Sequence, residues 1–342
     1  MKIGIVGYQG SGKGTLFTWL TGVATDPAQA HTGQTAMAAV PDAQIQPLCD
    51  IYHPKKITMA SLELVDTPGL SRTHEGNAAR LSLIREVGCL VLVVAAYSGS
   101  DPVEELTSFE EDLLLADMEI VSGRIERLRE SVKKPRPTRD QEMAELAALE
   151  PLLAALESAT ALRDLQLTDD QKKATSSFRL LTQKPKLIVI NLADDDDKPE
   201  RFLEKIAGKE QAVAYRLGLE VELAKMSEAD RAEFEQELGL TGSRRDEMLR
   251  TLLHASGQML YFTAGEKEVR TWMLNQGGTA LDAAANIHTD LARGFIRAET
   301  IKADDLIRLG SEREVKAANL VKQEPKDYVV QPGDILNIRF SV

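Results

Sequence analysis

Short runs of β-forming apolar residues recur at Lys2–Val6, Ser61–Val65, Cys89–Val94 and Lys186–Ile190. Each ends at Gly, Asp, a small-residue loop or Asn, with helical patterns between, which predicts a parallel α/β sheet. Ligands of such sheets bind beyond the carboxyl ends of the strands, so the polar residues just after each run are the first candidates for chemistry.

Between the third and fourth runs the period changes. Leu114, Met118, Val121, Ile125 and Leu128 recur at spacings of four and three, and Leu146, Leu149, Leu153 and Leu156 repeat the pattern. This is the seam of a coiled-coil-like, antiparallel helix pair. Pro135 and Pro137 cannot continue a helix and mark its turn. Pro151 is expected to kink or restart the second helix, and Thr168 with Gln171 has the spacing of a capping box that opens a third. From residue 259 the texture changes again to strand-like runs such as YFTAG, FIRAETI and DILNIRF. Turns such as Gln331-Pro332-Gly333-Asp334 separate them, and one helical stretch, Ala280–Ala292, interrupts them. The expected division is 1–101 with 183–258, a helical insertion at 102–182, and a small mixed domain at 259–342.

The length of 342 residues suits two or three domains at roughly 100 to 200 residues each. A composition of 43% hydrophobic and 27% charged residues excludes disordered, collagen-like and disulfide-framework chains. The net charge of −12 argues against indiscriminate binding to DNA or anionic membrane. No apolar run approaches the ~18 residues of a membrane span, and the opening MKIGIVG lacks a leader's hydrophobic region. A cytoplasmic monomer is expected. Cys49 and Cys89 lack CxxC spacing and read as structural. The histidines have no metal-ligand spacing, although His31 and His74 fall in the segments expected to respond to nucleotide. Trp19 and Trp272 read as packing residues.

The strongest chemical signal follows the first strand, in Gly7-Tyr8-Gln9-Gly10-Ser11-Gly12-Lys13-Gly14-Thr15. Gly7, Gly12 and Lys13 have P-loop spacing: main-chain N–H groups wrap phosphates, the lysine neutralises the β and γ groups, and the following helix adds its positive end. Gly14 stands where a Ser or Thr usually offers a hydroxyl to Mg²⁺, leaving Thr15 as the neighbouring hydroxyl. Asp66-Thr67-Pro68-Gly69 follows the second strand; its carboxylate suits a magnesium-bound water and the Gly69 N–H suits a γ-phosphate. Leu70 occupies the place of the water-orienting Gln of Ras-like GTPases, so slow hydrolysis is expected. Asn191-Leu192-Ala193-Asp194 follows the fourth strand in the place of a base-reading NKxD motif. The same acidic run, Asp194–Asp197, also has the character of a helix N-cap. By donor and acceptor logic a carboxylate favours guanine over adenine, so ATP against GTP stays open at this point.

These motifs together resemble the YchF-type Obg-like ATPases, a branch of the translation-factor P-loop NTPases. The resemblance runs from GxxGSGKGTLF through VPDAQIQPL, HPKKIT, VDTPGL, IREV, LLLADMEIV and FEQELGL to YFTAGEKEVRTW, IHTDLARGFIRAETI and DYVVQPGDILNIRFSV. It implies a P-loop G domain, an inserted helical domain, a C-terminal TGS domain of ubiquitin-like β-grasp fold, preference for ATP, and association with ribosomes. It also implies that Arg216, Leu217 and Gly218 complete the base pocket begun by Asn191 and Asp194. Where the family usually reads GLPNVGKST this chain has GYQGSGKGT, Asp194 shortens the family's usual Glu, and the loop before the inserted helices is cut to AAYSGSDP. The expected catalytic set is Lys13, Asp66 and Gly69. Gly10, Ser11, Gly12, Lys13, Gly14 and Thr15 would hold the phosphates, and Asp66 and Thr15 the metal.

Arg124, Arg127, Arg129, Lys133, Lys134, Arg136 and Arg139 against Glu126 and Glu130 make the helical tip locally +5 (7 − 2), a surface suited to ribosomal RNA phosphates. Two other readings are open: a non-hydrolysing nucleotide-gated binding module, suggested by Gly14, and a nucleoside monophosphate kinase, suggested by GSGKGT.

Overall fold

A computed structural model describes residues 1–97, 99, 101–206, 211–238 and 243–341. Parts of the FEQELGL and AAYSGSDP segments lie outside these residues. The strands are β1 (Lys2–Val6), β2 (Gln34–Ala39), β3 (Ile57–Thr58), β4 (Ser61–Asp66), β5 (Cys89–Ala95), β6 (Lys186–Asn191), β7 (Ala212–Tyr215), β8 (Gln258–Ala264), β9 (Val269–Asn275), β10 (Phe295–Lys302), β11 (Lys322–Glu324) and β12 (Asp334–Phe340). The first five helices are α1 (Lys13–Thr21), α2 (Ile45–Tyr52), α3 (Asn77–Arg85), α4 (Pro102–Ser131) and α5 (Arg139–Glu157). Contacts divide the chain into two compact units, 1–36 with 63–241 and 37–62 with 242–342.

The first unit is built on a sheet of order β2-β4-β1-β5-β6-β7. The β4, β1, β5, β6 and β7 strands run parallel. All four apolar runs of the sequence are in it, and β2 and β7 are additions. Neither carries a clear strand pattern, because their residues are mixed: β2 alternates half-buried and exposed positions up to a buried Ala38, and β7 is half-buried throughout. By contrast β5 is buried along its whole length, as a strand covered on both faces must be.

α4 leaves β5 with Asp101 as its N-cap, accepting from the Val103 N–H, and Pro102 in the first turn. α4 and α5 share a core of Leu114, Val121, Ile125, Leu128, Leu149, Leu152 and Leu156. Pro151 does not end α5, which is continuous from Arg139 to Glu157. The neighbouring Leu149 and Leu152 are buried in that core, and this packing offsets the helix bond that proline forgoes. The capping box at Thr168 and Gln171 forms and opens a helix at Asp169.

The second unit carries a mixed sheet of order β11-β10-β12-β8-β9-β3. β12 lies parallel to β8, with Ile335 opposite Phe262, and β8 and β9 form an antiparallel pair. The expected helix over Ala280–Ala292 is two, Ala280–Ile287 and Thr289–Arg293, because His288 adopts an extended backbone and caps the second with its ring. Residues 37–62 join this unit through side-chain burial: Leu48 and Cys49 of α2 pack with Phe262, Val269, Leu306 and Ile335, and β3 pairs with β9. Both cysteines are buried, and burial pushes the Cys89 thiol up to about 12, which keeps it protonated and inert. No helix among the described residues is long and apolar enough to cross a membrane.

Candidate nucleotide site

The loop from β1 to α1 ends at Gly12, whose left-handed backbone (φ 103°) caps the helix. Glycine is required there twice over, since a Cβ would also meet Nδ2 of Asn191 at 2.2 Å. The first helical bond of α1 joins the Leu16 N–H to the Gly12 carbonyl at 3.0 Å. The amides of Lys13, Gly14 and Thr15 precede it and point out of the helix start, where an anion is favoured.

Lys13 is 8% exposed, and its Nζ donates to the Tyr8 carbonyl across 2.8 Å. Burial lowers its pKa to about 8, against the opposing pull of Asp66 and Glu105, and nearby Arg80 lowers it further. Asp66 ends β4 beside it. Burial raises the pKa of this carboxyl and Lys13 partly offsets the rise. Its Oδ1 is buried with no hydrogen-bond partner among the described residues, a polar atom that a cation or its water would satisfy. An added Cβ at Gly69 would lie 2.6 Å from the Lys13 Nζ and 2.9 Å from the Gln9 amide nitrogen, so residue 69 is pressed against the P-loop.

Leu70 cannot orient water. Its side chain is fully buried in the core of the first unit, and its backbone is tied on both sides, to the Gly7 carbonyl (3.1 Å) and the Gln9 amide (2.9 Å). Beyond it the chain turns toward α4. Arg72 pairs with buried Glu105 at 2.5 Å and His74 meets Asp112 at 3.3 Å, while Asp112 also accepts from the Tyr8 hydroxyl at 2.7 Å. His74 is thus committed to the helical insertion, whereas His31 lines the phosphate cavity.

That cavity measures about 550 Å³ and brings together Gly10, Gly12, Lys13, Gly14, Thr15, Asp66 and Gly69, all expected from sequence. Three further side chains line it without a sequence signal: Thr25, Arg80 and Tyr97. Tyr97 donates its hydroxyl to the Gly10 carbonyl. Thr25 occupies the space beside Gly14, its Cγ2 at 3.0 Å and Oγ1 at 3.7 Å from where a Cβ at position 14 would stand, with Asp66 Oδ2 at 3.8 Å from the same point. Ser11 is fully buried; its hydroxyl oxygen makes no hydrogen bond among the described residues.

At the end of β6, Nδ2 of Asn191 donates to the Ser11 carbonyl across 3.1 Å. Asp194 does not start a helix, since the next one begins at Glu200. Its Oδ1 instead accepts from the Leu219 amide at 3.1 Å, its carbonyl accepts from Arg216 at 3.4 Å, and a Cβ on Gly218 would lie 2.8 Å from its Oδ1. Asp194, Arg216, Gly218 and Leu219 therefore form one cluster, whereas Asn191 faces the P-loop at Ser11 and Gly12. The Leu217 side chain is fully buried. Trp19 packs on Tyr215 with ring centroids 5.1 Å apart, and Trp272 stacks on Tyr261.

A family model described as 50S ribosome-binding GTPase matches residues 2–122, and one named YchF-GTPase_C, described as a protein of unknown function, matches residues 259–341. The Ribosome-binding ATPase YchF of Bacillus subtilis is 33% identical over all of this chain and all of its own length. Obg-like ATPase 1 of Oryza sativa is 35% identical over the whole chain and 92% of its own length. A solved structure of the Schizosaccharomyces pombe YchF GTPase superposes with a TM-score of 0.85 at 27% identity, covering 99% of this chain and 97% of that one. A phosphate-binding loop, an aspartate and glycine set against its lysine, and a third of all residues shared from end to end leave one conclusion: this chain belongs to the YchF family.

Proposed function

We propose that the protein is a P-loop nucleoside triphosphatase that binds and slowly hydrolyses ATP and uses its nucleotide state to regulate association with the ribosome. The observation that carries the reading is the convergence of a buried Lys13, an Asp66 oxygen without a partner among the described residues and a Gly69 packed on the Lys13 ammonium at one cavity. In this reading the Gly10–Thr15 backbone and Lys13 hold the phosphates and Gly69 senses the γ-phosphate. Asn191, Asp194, Arg216, Leu217 and Gly218 surround the base.

The residues fit a magnesium ion. Asp66 offers an oxygen that no protein donor occupies, and Thr15 lines the same cavity. Bound Mg²⁺ would supply neutralisation of phosphate charge. Asp66 would hold it through water, with Thr15 or Thr25 as the nearest hydroxyls in place of the one missing at Gly14.

The helical insertion at 102–182 and the C-terminal part at 259–342, read as a TGS domain, are the candidate ribosome-facing elements. Three of the seven basic residues at the helical tip are paired: Arg124 with Glu145, Arg129 with Glu150 and Lys133 with Glu130. Extending the count to residue 150 adds Asp140, Glu142, Glu145 and Glu150 and reduces the tip to +1 (7 − 6), so Arg127, Lys134, Arg136 and Arg139 carry what charge is available for phosphates.

Equilibrium dialysis of ATP and GTP against the wild type, Lys13→Ala and Asp194→Asn tests the assignment. ATP should bind the wild type more tightly than GTP, and Lys13→Ala should lose both. Unchanged binding in Lys13→Ala removes the phosphate site, and a GTP preference abolished in Asp194→Asn reverses the base assignment.

A further inference from the structure

The phosphate cavity contains a second cation that neither the P-loop nor the Asp66–Gly69 motif supplies. Arg80, on α3, lines it together with Lys13, Asp66 and Gly69. It is half-buried, and among the described residues it forms no ion pair. Its Nη1 instead donates to two neutral acceptors, the Glu75 carbonyl at 3.1 Å and Oδ1 of Asn77 at 3.3 Å. Asn77 is itself buried and doubly tied to Ser71, accepting from its amide at 2.8 Å and donating to its carbonyl at 2.9 Å. The guanidinium is thus held on the segment that follows Gly69, within electrostatic reach of Lys13. A guanidinium held only by neutral acceptors keeps its charge and its remaining N–H donors available to an anion in the cavity. The position that orients water in other GTPases is filled by the buried, immobilised Leu70, so the site lacks that contribution.

We propose that Arg80 is a catalytic residue, an arginine finger supplied within the same chain, which contacts the γ-phosphoryl oxygens and stabilises the charge they develop during hydrolysis. The inference rests on the nucleotide reading given above. In the step, a water oxygen bonds to the γ-phosphorus as the bond from that phosphorus to the β–γ bridging oxygen breaks. The electron pair stays on ADP, one water proton remains on the phosphate product, and the other passes to solvent. A guanidinium makes no covalent change in this step. It favours the transition state because its paired N–H donors stand where negative charge develops as the bond to the β–γ bridging oxygen breaks.

The test uses the full chain as wild type, Arg80→Ala and Arg80→Lys, with equilibrium binding of a fluorescent ATP analogue, single-turnover phosphate release, and trapping of ADP by aluminium fluoride. In Arg80→Ala, ATP affinity should stay within about threefold while phosphate release slows by about a thousandfold, the scale of an arginine finger, and aluminium fluoride should no longer trap ADP. Arg80→Lys, which keeps the charge without the fork, should recover only a minor part of the rate. Phosphate release at the wild-type rate in Arg80→Ala overturns the proposal, and so does a loss of rate matched by an equal loss of ATP affinity. Failure of the wild type itself to bind ATP or GTP instead strikes the underlying nucleotide reading, and the role of Arg80 falls with it.

Discussion

Nδ2 of Asn191 reaches 3.1 Å across the sheet end to the carbonyl of Ser11, so a residue at the tip of β6 holds the phosphate loop that follows β1. The two positions are 180 residues apart in the chain, and the contact couples the candidate base side of the site to its phosphate side. Replacing Asn191 by Ala leaves a buried carbonyl without its donor, a cost of about 1–3 kcal/mol. ATP affinity measured by fluorescence titration is expected to fall by about tenfold or more, with a smaller loss of thermal stability.

Gly69→Ala is a steric experiment on the same loop. The new methyl would stand 2.6 Å from Nζ of Lys13 and 2.9 to 3.0 Å from the Gln9 backbone. A lysine tip can move, but the backbone of Gln9 is held by the Leu70 carbonyl. Triphosphate binding should weaken more than diphosphate binding, because the displaced groups face the γ position. Parallel titrations of ATP and ADP check this, and equal losses would contradict it.

Lys13 gives the empty protein a characteristic pH response. Its folded-state pKa of about 8 lies below the ordinary value of 10.5, so between these pH values the unfolded chain holds a proton that the folded chain has released. Stability contributed by this group therefore rises with pH through that window. The urea midpoint of nucleotide-free wild type, compared with Lys13→Met, should show the rise from pH 8 to 10, and the variant should lack it. Nucleotide affinity should move oppositely, weakening above pH 8 as the ammonium is lost.

Tyr8 joins the P-loop to the helical insertion. Its hydroxyl donates to Oδ2 of Asp112 at 2.7 Å, and burial together with that carboxylate raises its pKa above the ordinary range. Tyr8→Phe keeps the ring, which packs edge-on against Phe109 at 5.4 Å, and removes only the donor. Asp112, still facing His74 at 3.3 Å, loses a hydrogen bond worth about 1–2 kcal/mol. Urea denaturation should register that loss while ATP affinity changes by less than threefold.

The sheet and its ligand loops were legible because their residues carry chemistry that few other settings require. Fully apolar runs such as Cys89–Ala95 suit only a strand covered on both faces, and Gly12 followed by Lys13 fits a helix start that accepts an anion. The half-buried β2 and β7 carry no such mark, since their pairing is decided by neighbours distant in the chain. Pro151 was misleading for a related reason: local propensity favours a break, whereas burial of Leu149 and Leu152 keeps the helix whole.

From the order of its residues alone the chain determines a P-loop on a parallel sheet, an aspartate and a glycine to oppose the lysine, and an Asn at the tip of β6 with an Asp just beyond it. Those features follow from short-range spacing and from period. Only the tertiary structure decides that 37–62 packs with the C-terminal unit, that His74 turns to Asp112 and not to the phosphate cavity, and that Thr25, Arg80 and Tyr97 converge on that cavity. Such contacts depend on how separate segments fold back on one another, and an isolated Thr, Arg or Tyr has the same local preferences whether it faces solvent or a nucleotide.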